Sequence, residues 1–210
     1  LDNAEEGKAA NKAELQRIFG LPESPETPVI AMVSRLASHK GFDLVKYAIE
    51  RLLTRNVQFV LLGTGEADLE SFFENLAKRY PDKVSIMLAY NKDLSKQIYA
   101  GADIFLMPSK SEPCGLSQMI ACRYGTIPVV RETGGLYDSI KPYYENEEGM
   151  HGNGFTFANY NGDELEERLC AALSLYTQPD KFAALRRRAM ETDFSWDASA
   201  EKYMEMYQGL

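Results

Sequence analysis

Short apolar runs alternate with longer amphipathic runs along most of this chain, and this rhythm constrains its fold more than any other feature. The early apolar runs are continuous rather than alternating, which is typical of strands buried on both faces of a parallel sheet. The predicted strands are Val29–Val33, Val57–Leu62, Val84–Ala89, Ile104–Met107, Ile127–Val130 and Phe155–Phe157. Strands that alternate with helices predict an α/β fold with a doubly wound parallel sheet and right-handed crossovers.

Apolar residues recur at helical spacing between these strands, as Leu44, Val45 and Ala48 do in the first such segment. The helices predicted between strands are Phe42–Thr54, Ala67–Arg79, Asp93–Ala100 and Ser117–Tyr124. Three further helices are predicted to end the chain without an intervening strand, at Gly162–Tyr176, Pro179–Glu191 and Trp196–Tyr207. We expect Asp163 to cap the first of these three and Ser195 the last.

The chain is expected to form one domain over residues 1–210, with a βα core over 11–160 and C-terminal helices over 161–210. The polar segment Glu145–Gly154 reads as a surface loop. The first segment, Leu1 to Asn11, is acidic, rich in Ala and begins without Met. We therefore expect the sequence to be a piece cut from inside a longer protein.

The bulk composition excludes several classes of function. A net charge of −8 argues against nucleic acid as a partner, because phosphate backbones require a basic surface. No apolar run approaches the ~18 residues of a membrane span, and no signal peptide is recognisable. The odd set of Cys114, Cys122 and Cys170 follows no metal-ligand spacing and favours a reducing compartment. We expect no metal and no cofactor.

The most informative loop runs from Ser111 to Gln118 and reads SEPCGLSQ. It lies between a predicted strand and a predicted helix, where parallel α/β sheets bind their ligands. Glu112 is suited to accept hydrogen bonds from hydroxyls, as sugars require, and the start of the helix offers N–H groups to an anion. The alternative is an ordinary connecting loop in which Ser117 caps the helix.

Two other strand-end loops carry candidate binding residues. Arg35 and Lys40 follow the first strand, and their cationic groups suit a diphosphate; the alternative is two solvated loop cations. Tyr90 follows the third strand and is suited to stack on a base, unless it is a half-buried core residue.

Glycines mark two further loops. Gly134 and Gly135 precede a helix-like turn and are suited to form a nest of N–H groups for an anion, or else simply a flexible turn. Gly63 and Gly65 follow the second strand, but Asp68 stands where a dinucleotide fingerprint needs its third glycine, so a tight turn is the better interpretation.

Several of these loops, in this order, resemble the C-terminal half of bacterial glycogen synthases and plant starch synthases. The matching pieces are SRL at 34–36 with KG at 40–41, YAGAD at 99–103, EPCGLSQ at 112–118, YGTIPVVR at 124–131, TGGL at 133–136 and FSW at 194–196. The similarity runs from about Asn11 to Tyr207. Together the EPCGL and VVRxTGGL pieces are highly specific.

The resemblance implies a GT-B glycosyltransferase, in which two Rossmann-like halves face each other across the active site. Such enzymes transfer glucose from ADP-glucose to the 4-hydroxyl of an α-1,4-glucan with retention of configuration, and the C-terminal half holds the donor. By motif, Arg35 and Lys40 would bind the diphosphate and Tyr90 would stack on adenine. Residues of the EPCGLS loop would hold the glucose and a phosphate, and Gly134 and Gly135 would also contact the donor. The implied loop contacts are Glu112, Cys114, Gly115, Leu116 and Ser117.

The chain departs from the family at Ser117, where Thr is usual, at Lys110, where Arg is common, and at Lys96, where His is common. Ile120 stands where relatives acting with other sugars carry a second Glu, which favours the glycogen and starch synthase branch. Nothing here matches the family's N-terminal half, with its acceptor surface.

Two hypotheses follow from the missing half. The first is the donor-binding part of a glucan synthase, inactive by itself and located in a bacterial cytoplasm or a plastid. Its partners would be ADP-glucose or ADP, the glucan acceptor and the N-terminal half, with no nucleic acid and no membrane. The second is a nucleotide-binding module without catalysis. A relative that uses UDP-glucose also remains open.

Overall fold

The computed structural model describes residues 3–209, and the expected domain ends Leu1, Asp2 and Leu210 lie outside them. The strands are β1 (Val29–Val33), β2 (Gln58–Leu62), β3 (Val84–Met87), β4 (Ile104–Met107), β5 (Ile127–Arg131), β6 (Tyr144–Asn146), β7 (Gly149–His151) and β8 (Phe155–Phe157). The helices are α1 (Ala4–Ile18), α2 (Phe42–Leu52), α3 (Ala67–Arg79), α4 (Lys92–Gly101), α5 (Ser117–Arg123), α6 (Gly135–Ser139), α7 (Gly162–Tyr176), α8 (Pro179–Glu191) and α9 (Trp196–Gln208).

Six strands form a parallel sheet in the order β3-β2-β1-β4-β5-β8, which confirms the predicted doubly wound α/β fold. The strand order reverses at the centre, where β1 pairs with both β2 and β4. In that central pairing Ile30 lies opposite Ile104 and Ala31 opposite Phe105. The loops after β1 and β4 therefore leave the sheet side by side, at the switch point where such folds bind ligands.

Apolar side chains cover both faces of the sheet. One face packs aromatic rings from strand and helices, with the centroids of Phe42 and Phe73 5.5 Å apart and those of Phe59 and Phe73 6.1 Å apart. The other face buries Leu15 of α1 against β1 and β4. Strands covered on both faces must be apolar throughout, which explains why the continuous runs predicted them well.

Two local predictions were wrong, and one helix was not predicted. Glu145–Gly154 is not simply a loop, because β6 and β7 within it form an antiparallel hairpin. Asp163 does not cap α7; the side chain of Asn161 does, accepting hydrogen bonds from the backbone N–H groups of Asp163 and Glu164. The segment before Asn11 carries the first turns of α1, although no helix was predicted there. The predicted cap of α9 is confirmed, since the Ser195 hydroxyl accepts from the N–H of Ala198.

The C-terminal helix α9 contrasts with the rest of the fold, because it has no buried residue. Its exposed apolar side chains include Trp196, Tyr203, Met204 and Tyr207. No helix among residues 3–209 is long and apolar enough to cross a membrane.

Helix α1 is fastened to the sheet by buried charges at the edge where the strands begin. Lys12 Nζ lies 2.7 Å from Asp103 Oδ2, and Lys8 Nζ donates to the Thr126 hydroxyl at 2.7 Å and to the Ala102 carbonyl. Arg186 of α8 donates to the Gly125 carbonyl at 3.1 Å. Burial lowers the pKa of Lys8 from 10.5 to about 7, because the ammonium is removed from water.

This pKa shift predicts a stability that rises with pH. The unfolded chain binds more protons than the folded chain between pH 7 and 10.5, since the pKa of Lys8 is about 7 when folded and 10.5 when not. Asp103 and Glu5 favour the charged form of Lys8, while Lys12 and Arg186 oppose it, without cancelling the effect of burial. Urea unfolding from pH 7.5 to 9 should give a free energy that increases by up to about 1.4 kcal/mol per pH unit.

The variant Lys8→Met keeps the length of the side chain and removes its proton. In this variant the free energy of unfolding should rise less steeply with pH, and its value at pH 7.5 should equal or exceed that of the parent chain. Identical slopes in the two proteins would show that Lys8 does not titrate in this window.

Candidate functional site

An ion pair joins the loops that follow β1 and β4. Lys40 Nζ lies 2.7 Å from Glu112 Oε2, and the same oxygen accepts a hydrogen bond from the Ser109 hydroxyl at 3.0 Å. The Glu112 side chain is 10% exposed and that of Lys40 is 21% exposed. Within residues 3–209 both contacts fall on Oε2, so the second carboxylate oxygen of Glu112 is left to accept from a ligand hydroxyl.

Lys40 reaches Glu112 because its loop packs closely on the end of β4. A short 3₁₀ turn over Ser38–Lys40 ends at Gly41, which has φ +78°. A Cβ on Gly41 would lie 2.1 Å from the carbonyl oxygen of Pro108, so no larger residue fits there. The backbone N–H of Lys110 donates to the His39 carbonyl at 2.9 Å and fixes the two loops together.

Arg35 and Tyr90 line a second part of the same sheet edge, a cleft of about 360 Å³ above β1, β2 and β3. The backbone of Leu36 next to Arg35 pairs with Thr64, which holds the base of this loop. Arg35 is exposed, and Tyr90 is 93% exposed. Tyr90 is therefore not a half-buried core residue, and its ring is open to a ligand.

The loop that carries Glu112 is held by the loop after β5. The N–H of Gly135 donates to the carbonyl of Glu112 at 3.1 Å, and a Cβ on Gly135 would lie 1.9 Å from the Cys114 carbonyl oxygen. This contact differs from the predicted anion nest, because the N–H of Gly135 is already bound to a protein carbonyl. Gly134 has φ +47°, and a Cβ there would meet the Glu112 carbonyl oxygen at 2.2 Å.

Arg131 supports the same loop from below. Its guanidinium donates to the carbonyls of Ser109 at 2.9 Å and Lys110 at 2.6 Å. Arg131 ends β5, and its charge is therefore used to shape the backbone beside Glu112 rather than offered to a ligand.

Helix α5 begins beside these groups, with Leu116 at its N-cap rather than Ser117. The Ser117 hydroxyl accepts a hydrogen bond from the Tyr99 hydroxyl at 2.9 Å. Burial raises the pKa of Tyr99, which keeps this phenol protonated and able to donate. Cys114 and Leu116 are exposed at the mouth of the loop.

The structure thus brings Lys40 into contact with Glu112 and places Arg35 and Tyr90 in one neighbouring cleft. Three polar residues that support the site were not predicted as site residues: Ser109, Tyr99 and Arg131. Each lies within or beside a recognised motif. Tyr99 and Arg131 have partners distant in sequence, so only the fold identifies their roles. Ser109 instead bonds Glu112, three residues further along the same loop. Among residues 3–209 no group of three or more His, Cys, Asp or Glu side chains is placed to hold a metal.

Residues 14–189 match the sequence family described as Glycosyl transferases group 1. Two curated glycogen synthases, from Geobacillus thermodenitrificans and Kosmotoga olearia, are each 50% identical to the chain over 205 and 206 residues. The alignments cover 98% of this chain but only 42% and 43% of those proteins. The chain therefore spans less than half the length of these relatives.

Solved structures of glycosyltransferases also match this chain. The catalytic domain of starch synthase IV from Arabidopsis thaliana, bound to ADP and acarbose, matches with a TM-score of 0.87 at 38% identity, over 98% of this chain and 43% of that one. A sucrose-phosphate synthase from Thermosynechococcus elongatus matches with a TM-score of 0.68 at 21% identity, over 94% and 48% of the two chains, and shows a shared fold alone.

The close packing of Gly135 against the Glu112 loop predicts a pair of opposite effects. Gly135→Ala should destabilise the chain by about 1–3 kcal/mol, because the new methyl group overlaps the Cys114 carbonyl. Gly7→Ala is the matched control, since a Cβ at this position of α1 meets nothing within 4 Å. It should stabilise the chain by up to about 1 kcal/mol through helix propensity. Urea unfolding measures both, and equal effects would contradict the packing argument.

Proposed function

The chain belongs to the group 1 glycosyl transferases, and from this premise we propose that it is the donor-binding half of a retaining glucan synthase that uses ADP-glucose. The identity to glycogen synthases and the likeness to a starch synthase solved with ADP support this choice. Since the chain spans 42% of its curated relatives, the complete activity would belong to a longer protein.

The observation that carries the proposal is the Lys40–Glu112 pair at the switch point of the sheet. It places a cation and a carboxylate 2.7 Å apart beside the mouth of the EPCGLS loop. A nucleotide-sugar needs this combination, with a positive group for its diphosphate and an acceptor for its sugar hydroxyls. In this assignment Lys40 contacts the diphosphate and the free oxygen of Glu112 accepts from a glucose hydroxyl.

The neighbouring cleft is assigned to the nucleotide. Its exposed aromatic ring, Tyr90, would stack on adenine, and Arg35 at the other side of the cleft would reach the phosphates. The backbone at Cys114, Gly115 and Leu116 would contact the sugar, and Ser117, oriented by Tyr99, a phosphate. Gly134 and Gly135 would contribute by holding this loop in place.

The proposed reaction breaks the bond between the anomeric carbon and the β-phosphate oxygen. A new bond forms to the 4-hydroxyl oxygen of the glucan, and the proton of that hydroxyl balances the charge gained by the departing ADP. Negative charge grows on the diphosphate as the bond breaks. Fixed cations at Arg35 and Lys40 would stabilise this charge more in the transition state than in the ground state.

The acceptor and the opposite wall of the active site would come from an N-terminal half. Helix α9 has no buried residue, and its exposed Trp196, Tyr203 and Met204 would supply apolar contacts with that half. The two alternatives, a UDP-glucose enzyme and a non-catalytic nucleotide module, differ from this proposal in nucleotide preference and in turnover.

Calorimetric titration of the chain with ADP tests the nucleotide assignment. We expect weak binding that Arg35→Ala and Lys40→Ala each reduce about tenfold, with a smaller dependence on salt, because each variant loses one cation near the diphosphate. Arg55→Ala removes the same charge from an exposed loop before β2 and should bind as the parent does. Unchanged affinity in both test variants would reject the diphosphate assignment, and tighter binding of UDP than ADP would favour the UDP-glucose alternative.

Glu112→Gln tests the sugar assignment in the longer enzyme. The amide keeps the shape of the side chain but loses the charge that pairs with Lys40 and accepts from a hydroxyl. Turnover of ADP-glucose into glucan should fall at least about 100-fold, while the affinity for ADP changes about threefold or less. Equal losses in the two measurements would show that Glu112 only maintains the loop. The isolated chain should not elongate glycogen, since it cannot hold the acceptor in place.

A further inference from the structure

A second polar cavity lies at the opposite edge of the sheet, where the strands begin. It is a groove of about 420 Å³ between α1 and α8, and Tyr176 is among its lining residues. Lys8 and Lys12 of α1, Arg186 of α8 and Asp103 at the start of β4 line it. None of these residues belongs to the site proposed for the nucleotide-sugar.

The buried part of this groove is unbalanced in charge. Lys8, Lys12 and Arg186 are 6%, 4% and 6% exposed. In the part of the chain that the structure describes, the one carboxylate buried among them is that of Asp103, at 3%. Asp103 is already engaged by Lys12 at 2.7 Å and lies 3.7 Å from Arg186. The ammonium of Lys8 contacts a carbonyl and a hydroxyl but no carboxylate of residues 3–209. Buried cations in excess are costly unless an anion accompanies them.

The carboxylates that could balance this charge sit at the rim. Glu5 is 58% exposed and reaches inward to pair with Arg186, whereas Glu26 is exposed at the other side of the opening. Glu5 shows where an anionic oxygen is bound in this groove. Because its side chain is flexible and largely in water, a ligand oxyanion can replace it at little cost.

We propose that this groove binds a small molecule carrying a phosphate or carboxylate group, which replaces Glu5 at Arg186 and supplies the negative charge that the buried ammonium of Lys8 lacks. The volume exceeds that of a bare ion and falls in the range of small-molecule sites, so the ligand has a body besides its anionic group. The phenol of Tyr176 is already engaged, since it accepts from Lys12 Nζ at 2.6 Å and donates to the Pro25 carbonyl at 2.8 Å. Burial lowers the pKa of Lys8 to about 7, so an anion bound beside it would shift this amine toward its charged form.

Thermal unfolding and calorimetry with pyrophosphate and with citrate test this proposal. Both are measured in an Arg35→Ala, Lys40→Ala background, so that anions cannot bind at the other edge of the sheet. Stabilisation by pyrophosphate alone identifies a phosphate ligand, and stabilisation by citrate alone a carboxylate ligand; either supports the proposal. If neither anion stabilises the chain at a concentration of about 10 mM, which would saturate even a weak metabolite site, the proposal is overturned.

Three variants locate the binding. Glu5→Gln removes the competing carboxylate and should tighten binding by about twofold to fivefold, the opposite of what a merely structural Glu5 would do. Ala183→Trp fills the groove from α8 and should weaken binding at least about tenfold. Ala10→Trp on α1 is its control, since Ala10 is exposed, lines neither this groove nor the adjoining pocket at Glu5 and Arg186, and should leave binding unchanged. Unchanged affinity in both Glu5→Gln and Ala183→Trp would refute the site. If Ala183→Trp folds poorly, Glu5→Gln alone decides, and an unchanged affinity in that variant refutes the site.

Discussion

The pairing of β1 with β4 is the constraint on which the rest of the site depends. These strands lie far apart in sequence, yet Ile30 and Ile104 are partners in the sheet because β2 and β3 occupy the other side of β1. Their loops emerge together for this reason alone. The contact between Lys40 and Glu112 spans 72 positions of sequence and follows from this one crossover.

Carbonyl groups and glycines then give the loops their shape. Gly41 lies against the Pro108 carbonyl, and Gly135 against the Cys114 carbonyl, at distances that leave no room for a side chain. Arg131 adds hydrogen bonds to two more carbonyls of the same loop. The carboxylate of Glu112 therefore lies on a backbone that is fixed from both sides, and in the proposed role it would meet a ligand without rearranging.

The sequence was sufficient for the strands because burial on both faces requires unbroken apolar runs, and β1, β4 and β8 have the predicted limits. Motifs singled out Lys40 and Glu112, and the structure brings the two side chains into contact, while their roles toward a ligand stay predictions. Hydrogen-bond partners were not predicted. Tyr99 meets Ser117 through tertiary packing. Asn161 rather than Asp163 caps α7 because of the local geometry at the start of that helix. The amphipathic signal of α1 was hidden because its buried face carries Lys8, Lys12 and Gln16 beside Leu15.

Because that buried face is polar, the two edges of the sheet differ in how their charged groups are exposed to water. At the carboxyl edge Arg35 lies in the same cleft as Tyr90, and its charge is open to solvent. A charge in water costs little free energy of folding. At the amino edge Lys8, Lys12 and Arg186 are removed from water before any ligand binds, and the chain carries that cost as a lowered pKa at Lys8. Packing α1 with apolar residues would have avoided this cost. The presence of these buried cations is the physical reason to look for an anion at that edge.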